Sequence, residues 1–455
     1  MAIADYAVLL IYLVVLLSLG FYRSANKPDN FEEFVLAGRR LSLPAFVATL
    51  VTTWYGGILG VGEFSYNYGL SNWLVFGVPY YLYAIVFALV LARRARHSGL
   101  FTIPEQLEKT YGRAAGMIGA FFVFLLSSPA PYVLMVGVLC EILWQWPLWL
   151  GVIAGTFFSM IFTMRGGFAS VVRTEMLQFV LMYAGFAALL YFAASQHGGL
   201  GFLQTQLPSA HLTWHGGNQG QYILVWYFIA MSTLVDPTFY QRCFAARNGE
   251  VARKGILLAV VCWCAFDFLT TVCGLYARAL LPDLSNGVAA YPQLALQLLP
   301  EVWRGLFYVA LLATIMSTID GFAFQSAVTI GKDFLAKLTP QPSEDRTTFF
   351  TRMGLLLTFM LAIIIALQAQ SVVAIWYQLG TITTPALLLP LASSFFRRWR
   401  MSPRTALLSM PLSAGIAICW LLGAREGKYW WGIEPIYPGL VASGIFFLLA
   451  QMRRR

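Results

Sequence analysis

Apolar runs of about 20 residues recur along the whole chain, and each is long enough for an α-helix to cross the hydrocarbon core of a bilayer. A membrane barrel would instead show short segments of alternating polarity, which are not seen here. Only 11% of the residues are charged, whereas soluble domains carry about 25%. The sequence therefore predicts an all-α, polytopic membrane protein.

The apolar runs divide the chain into about thirteen predicted spans. The first run follows the sequence MAIAD, which lacks the basic start of a signal peptide, so we interpret it as a retained helix. No long polar stretch separates the runs, and residues 1–455 are interpreted as one membrane domain. The predicted spans are 5–22, 43–68, 72–93, 114–143, 147–164, 170–195, 220–240, 255–280, 302–330, 350–370, 372–396, 404–423 and 434–451.

The basic residues are divided unevenly between alternate loops. With the N-terminus outside, Arg242 and most other basic residues fall on the inner side, and only Arg278, Arg304, Arg425 and Lys428 fall outside. Because cytoplasmic loops carry an excess of Lys and Arg, this pattern predicts a cytoplasmic C-terminus in a plasma (inner) membrane. Topology and contact with anionic lipids of the bilayer account for the net charge of +10, so nucleic acid is not an expected partner.

Two spans carry helix-breaking residues near their centres. Span 43–68 contains Gly56 and Gly57, and span 220–240 contains Pro237. Glycine loosens a helix, and proline removes a backbone donor. Glycines in a span can also serve close helix packing. Two breaks that lie five spans apart in opposite orientations favour another interpretation, an inverted five-plus-five repeat with a solute site between the breaks.

Four segments, in order along the chain, carry a resemblance to a known family. They are FVLAGRRLSLPAFVATLVTTWYGG, MRGGFASVVRTEMLQFVLM, DPTFYQRCFAARN and ATIMSTIDGFAFQSAVTIGKDFL. The chain resembles the sodium:solute symporter family, which includes sodium-coupled glucose, proline, pantothenate and sialic acid carriers. The resemblance implies the LeuT fold, with an extra N-terminal helix at 5–22, a first repeat at 43–195, a second repeat at 220–396 and two C-terminal helices within 404–451.

The resemblance also implies a sodium site on the eighth core helix. Thr314, Ser317 and Thr318 share one face of an otherwise apolar helix. In the family a hydroxyl pair at this place binds sodium, which corresponds here to Ser317 and Thr318, together with the backbone carbonyls of Thr314, Leu50 and Thr53. Sodium needs several oxygens to replace its water shell. Alternatively, the hydroxyls bond only to helix carbonyls one turn earlier. Sodium, as the coupling ion, is the only metal expected, and no other cofactor is.

Three acids within the predicted spans have expected roles. By resemblance, Glu175 lines the route by which sodium leaves toward the cytoplasm, and we expect one sodium to be coupled to each solute. The alternative is that Glu175 simply reaches the inner interface. Asp320 is expected to bond to a backbone group or to a hydroxyl of a neighbouring helix. Asp236 precedes Pro237 and is expected to cap the half-helix that begins there.

The solute is expected between the two breaks, where no basic residue is placed, and this argues against a dianionic solute. The sequence thus predicts sodium-coupled import of a small polar organic solute by alternating access, with sugar, amino acid and monocarboxylate left open. An enzyme is not expected, because no catalytic constellation is evident. A proton-coupled, channel-like or sensor protein on the same scaffold is the alternative, and the sequence does not indicate an oligomeric state. The candidate solute-binding residues are Trp54, Tyr55, Gly56, Gly57, Ser128, Thr233 and Pro237.

Overall fold

A computed structural model describes residues 2–21, 30–339, 343–368, 371–424 and 429–452. Within these ranges ten helices are long and apolar enough to cross a membrane, and three shorter apolar helices occupy the other predicted positions. The helices are α1 (Ile3–Phe21), α2 (Leu43–Tyr68), α3 (Trp73–Val90), α4 (Arg113–Trp144), α5 (Leu148–Ile161), α6 (Gly167–His197), α7 (Gly220–Ala245), α8 (Gly249–Leu280), α9 (Trp303–Leu338), α10 (Glu344–Gln368), α11 (Val372–Ser394), α12 (Pro403–Leu422) and α13 (Ile436–Met452).

Short helices connect several of these spans, and they include Phe31–Leu36, Ala92–His97, Ile103–Tyr111 and Ala290–Leu298. Two of the four basic residues expected on the outer side, Arg425 and Lys428, lie outside the described residues.

Helix α4 differs from the continuous span predicted at 114–143. It consists of two helices, Arg113–Leu126 and Ala130–Trp144, separated by a short irregular segment. Pro129 and Pro131 explain the interruption, because proline cannot donate the backbone hydrogen bond that would continue the first helix but fits the start of the second.

A sharp turn separates α5 from α6. Gly167 has φ 58° and ψ −160°, a backbone conformation that is open essentially to glycine alone. A Cβ atom at this position would lie 2.5 Å from the carbonyl oxygen of Phe34. The turn therefore depends on glycine both for its conformation and for the close approach of the neighbouring chain.

Helix α9 lies at the centre of the molecule. Buried residues make up 94% of its most apolar stretch, and it packs against α1, α2, α4, α6 and α10. The polar face of α9 is thus enclosed by protein and not by lipid. Asp5 links α1 to the start of α9, since its carboxylate accepts hydrogen bonds from Arg304 Nε at 2.8 Å and from the Gly305 amide at 3.1 Å.

Candidate ion and solute site

The first break is a tight 3-10 turn, Tyr55–Gly57, between the two halves of α2. Glycine is needed here because neighbouring helices come very close. A Cβ atom on Gly56 would lie 2.2 Å from Cβ of Thr318, and one on Gly57 would lie 2.0 Å from the ring of Trp376. The two glycines therefore bring the α2 backbone against α9 and α11.

The second break lies in the middle of α7. A 3-10 segment, Ala230–Val235, gives way to a new helix that begins at Pro237. Asp236 caps this helix, because its Oδ1 accepts hydrogen bonds from the amides of Thr238 at 2.7 Å and Phe239 at 3.4 Å. The capping position predicted for Asp236 is confirmed, and its carboxylate lies at the positive end of the half-helix dipole.

Five oxygen atoms converge where α9 meets the first break. Ser317 Oγ lies 2.8 Å from the carbonyl oxygen of Thr314 and 3.1 Å from that of Thr52. Thr318 Oγ1 lies 2.8 Å from the carbonyl oxygen of Thr53. All five residues are buried. Two hydroxyls and three carbonyls without a carboxylate are ligands suited to a hard monovalent cation that must bind and leave.

The hydroxyls of this cluster bond both along their own helix and across to α2. The structure brings Thr53, Thr314, Ser317 and Thr318 together as the resemblance implies. Leu50 is buried one turn earlier in α2, but the hydroxyl pair approaches the carbonyl of Thr52 instead. A carbonyl ligand leaves no mark on the sequence, because every residue has one.

A buried ion pair lies beside this cluster. Arg242 Nη2 of α7 is 3.1 Å from Oε1 and 3.3 Å from Oε2 of Glu175 in α6, and both side chains are fully buried. Thr53 Oγ1 donates to Glu175 Oε1 at 2.6 Å and accepts from Arg242 Nη2 at 2.6 Å. The pair therefore connects α6 and α7 to Thr53, whose carbonyl oxygen belongs to the oxygen cluster.

The position of Arg242 corrects the sequence interpretation, which counted this residue with the basic groups of an inner loop. Its side chain has no exposed surface and serves as the partner of Glu175. Glu175 is equally enclosed and does not reach the inner interface, so the alternative role considered for it is wrong. Arg242 lies in the segment DPTFYQRCFAARN, but nothing local to that segment indicates a partner in another helix.

Asp320 lies one turn beyond Ser317 on α9. The hydroxyl of Ser159 in α5 donates a hydrogen bond to its Oδ1, and its Oδ2 has no partner within the described part of the chain. The expected contact with a hydroxyl of a neighbouring helix is therefore present.

A cavity of about 140 Å³ lies between the two breaks. Both breaks border it, through Trp54, Tyr55 and Gly57 on one side and Ser232 and Asp236 on the other. Other residues that border it include Phe76, Tyr80, Ser128, Tyr132, Asp267, Phe322 and Trp376.

Four of the candidate solute-binding residues border this cavity, namely Trp54, Tyr55, Gly57 and Ser128. The other three do not. Gly56 faces Thr318, and the hydroxyl of Thr233 is buried without a partner among the described residues. Pro237 is the first residue of the helix that Asp236 caps.

Sequence reasoning missed Asp267 of α8 and Tyr80 of α3 as parts of the cavity wall. Asp267 could have been suspected, because intramembrane acids face the interior of a helix bundle. Tyr80 carries no comparable signal in an aromatic-rich chain.

The sequence is similar to that of known membrane transporters. The sequence model of the Sodium:solute symporter family matches residues 34–410. The sodium/pantothenate symporter of Escherichia coli (strain K12) is 25% identical, covering 97% of this chain and 95% of that protein. The sodium/glucose cotransporter 4 of Danio rerio is 23% identical, covering 79% of this chain and 62% of that protein.

Two solved structures share the fold. An outward-open, Na+-coupled sialic acid symporter superimposes with a TM-score of 0.80 and 15% identity, covering 99% of this chain and 97% of that chain. Mhp1, a nucleobase-cation-symport-1 family transporter, gives a TM-score of 0.64 and 14% identity, covering 92% of this chain and 94% of that chain. The predicted all-α, LeuT-type architecture is confirmed. The protein is a multi-pass membrane transporter and not an enzyme, and the chain belongs to the sodium:solute symporter family.

Proposed function

We propose that this chain imports a small polar organic solute together with sodium, by alternating access. The observation that carries the proposal is the convergence of the Ser317 and Thr318 hydroxyls with the carbonyls of Thr52, Thr53 and Thr314 at the first break. Relatives named for pantothenate, glucose and myo-inositol support a small organic solute as the second cargo.

The geometry suggests how the ion and the solute are coupled. The sodium ligands come from two helices, so a bound ion favours the arrangement in which α9 and the first break are in contact. Trp54 and Tyr55 follow directly after Thr53 and border the cavity. Sodium at the break therefore holds one wall of the solute cavity in place. Such differential affinity for one arrangement is what allows one ligand to raise the affinity for another.

We propose that one sodium is coupled to each solute. In some members of the family that the sequence resembles, an acid at the position of Glu175 contributes to a second sodium site. Here the guanidinium of Arg242 already neutralises it. Because Thr53 bonds to Glu175 through its hydroxyl and to the ion site through its carbonyl, Glu175 is placed to influence release of the ion on the inner side. A charge-to-solute ratio that requires two sodium ions would contradict the stoichiometry.

The sodium-coupled function can be tested with radioactive sodium and purified protein in liposomes. We expect that at least one solute from a panel of sugars, amino acids, monocarboxylates and organic cations accelerates sodium entry several-fold and saturably. Protein-free liposomes are the control. Sodium entry that rises linearly with concentration and ignores every solute would indicate a channel. Solute uptake driven by a pH gradient in the absence of sodium would indicate a proton-coupled transporter.

The proposed topology places residues 43–195 and 220–396 as the inverted repeats, with the N-terminus outside a plasma membrane. A cysteine introduced at Glu250 should then react with a membrane-impermeant maleimide only after the cells are opened. A cysteine at Gln204 should react in intact cells. Both native side chains are exposed. Labelling of position 250 in intact cells, above the background of the wild-type protein, would contradict this orientation.

Substitution of Gly56 tests the contact between the break and α9. We expect Gly56→Ala to raise the sodium concentration needed for uptake, because the new Cβ atom would lie 2.2 Å from Cβ of Thr318 and must displace it. Overpacking of this kind costs about 1–3 kcal/mol. Gly60→Ala is the matched control, since its Cβ atom would be 3.4 Å from the Trp376 ring, close to an ordinary contact. Equal sodium dependence in the two variants would argue against the contact.

A further inference from the structure

The cavity between the breaks carries acidic groups but no basic ones. Asp236 and Asp267 border it, and no Lys or Arg does so among the residues that the structure describes. Both carboxylates are buried, and the hydroxyl of Tyr81 donates to Oδ2 of Asp267. Arg242, on the same half-helix as Asp236, has its charge matched by Glu175. Within the cavity the two acids have no cationic side chain as a partner.

The end of the α7 half-helix is also closed to an anion. The amides at the start of a helix form a site that attracts carboxylates and phosphates. Here that site is filled by the chain itself, since Oδ1 of Asp236 accepts hydrogen bonds from the amides of Thr238 and Phe239. A solute carboxylate would therefore be repelled by the carboxylate of Asp236, because the helix amides that could bind it are already occupied.

The remaining wall of the cavity is mainly aromatic. The rings of Trp54 and Tyr80 are 5.3 Å apart, and those of Tyr132 and Trp376 are 6.2 Å apart. Aromatic faces attract organic cations, and the attraction strengthens in a site that excludes water. The neutral hydrogen-bonding side chains that border the space are three phenols, two serine hydroxyls and two indole N–H groups, and the indoles can only donate. A sugar or polyol has a hydroxyl on almost every carbon, and part of these hydroxyls would lie against aromatic and aliphatic side chains without partners.

We propose that the solute is a small organic cation, a compound with an ammonium group that lies against the Trp54 and Trp376 rings with Asp267 as its counter-ion. The inference rests on the proposed function, because it takes this cavity as the solute site. Both buried carboxylates accept hydrogen bonds, but neither has a cationic partner among the residues that border the cavity. A cationic ligand would supply that opposite charge, which a buried carboxylate needs in order to stay ionised. Together with sodium, each transport cycle would then carry more than one positive charge inward.

The test uses the full-length protein in lipid nanodiscs and follows tryptophan fluorescence, since Trp54 and Trp376 border the cavity. In sodium buffer the protein is titrated with choline, ethanolamine and putrescine as cations. Comparison solutes are glucose, myo-inositol, pantothenate and the uncharged analogue of choline in which a tert-butyl group replaces the trimethylammonium group. We expect at least one cation to change the fluorescence saturably, with an affinity at least about tenfold above that of every neutral or anionic solute, which corresponds to 1.4 kcal/mol.

Variants separate the charge from the packing. Asp267→Asn is expected to weaken cation binding by about tenfold or more, and Asp267→Glu to keep part of the affinity. Asp283→Asn, which makes the same change at an exposed acid in a loop, should have no effect. The rise of melting temperature with sodium shows whether each variant keeps a folded ion site.

Three results would overturn the proposal. The first is that no cation of the panel binds to the wild-type protein. The second is that a neutral or anionic solute binds as tightly as every cation. The third is that Asp267→Asn binds the cation with unchanged affinity. If the proposed sodium coupling is wrong but the cation site is right, the cation would bind with equal affinity in sodium and in potassium buffer.

Discussion

Removal of both hydroxyls, in the Ser317→Ala/Thr318→Ala variant, is expected to raise the sodium concentration for half-maximal uptake by about tenfold to a hundredfold. Each hydroxyl is one of only five oxygens in the cluster. A loss of 1.4 kcal/mol in ion binding corresponds to a tenfold change in affinity, and two ligands are lost together. The measurement is the sodium dependence of solute uptake into liposomes at a fixed amount of inserted protein.

Ser326→Ala is the matched control for this variant. It removes another buried hydroxyl of α9, which accepts a hydrogen bond from Thr358 at 3.2 Å and lies two turns beyond the cluster. We expect its sodium dependence to stay at the wild-type value. If the double variant also transports with wild-type sodium dependence, then Ser317 and Thr318 serve only to pack α9 against the break.

Separation of the buried ion pair should have the largest effect on stability. Arg242→Ala or Glu175→Gln leaves one buried charge without its partner, and such a change typically costs about 3–5 kcal/mol. Both side chains have no exposed surface, so water cannot compensate for the loss. We expect a large drop in melting temperature and in the yield of folded protein. Removal of both charges, in Glu175→Gln/Arg242→Gln, should recover much of the loss.

The pair formed by Arg93 and Glu250 provides the comparison for this prediction. It lies at the surface, with side-chain exposures of 48% and 50%. Because exposed ion pairs contribute about 0–1 kcal/mol, Glu250→Gln should leave the melting temperature almost unchanged. Equal melting temperatures for Glu175→Gln and Glu250→Gln would show that the buried pair does not hold α6 and α7 together.

Much of the fold could be predicted because a membrane-spanning helix can be recognised from local sequence, by the length of its apolar run. The bounds predicted for α2, 43–68, agree with Leu43–Tyr68, since capping residues and glycines mark its ends. The interruption of α4 was missed, although Pro129 and Pro131 mark it, because the flanking residues are apolar enough to continue one span. Ser317 and Thr318 lie three and four residues after Thr314, and this spacing likewise placed them on the same helix face as Thr314.

The partners within the site could not be predicted, because they depend on contacts between distant parts of the chain. Glu175 and Arg242 are 67 residues apart, and Thr53 is 122 residues from Glu175. Each was visible in the sequence, yet only the packing of α2, α6 and α7 brings them together. The same holds for Asp267, whose place in the cavity wall follows from the position of α8 beside the first break.

The measurement that tests the central claim most directly is the melting temperature of the purified protein as a function of sodium, with potassium replacing sodium to keep the ionic strength constant. A ligand that binds only the folded state stabilises it more as its concentration rises above the dissociation constant, with the logarithm of the concentration. We expect the melting temperature to rise with sodium in this way in the wild-type protein and in Ser326→Ala. We expect little or no rise in Ser317→Ala/Thr318→Ala over the same sodium range. An equal rise in the double variant, or no difference between sodium and potassium in the wild-type protein, would contradict the proposed sodium site.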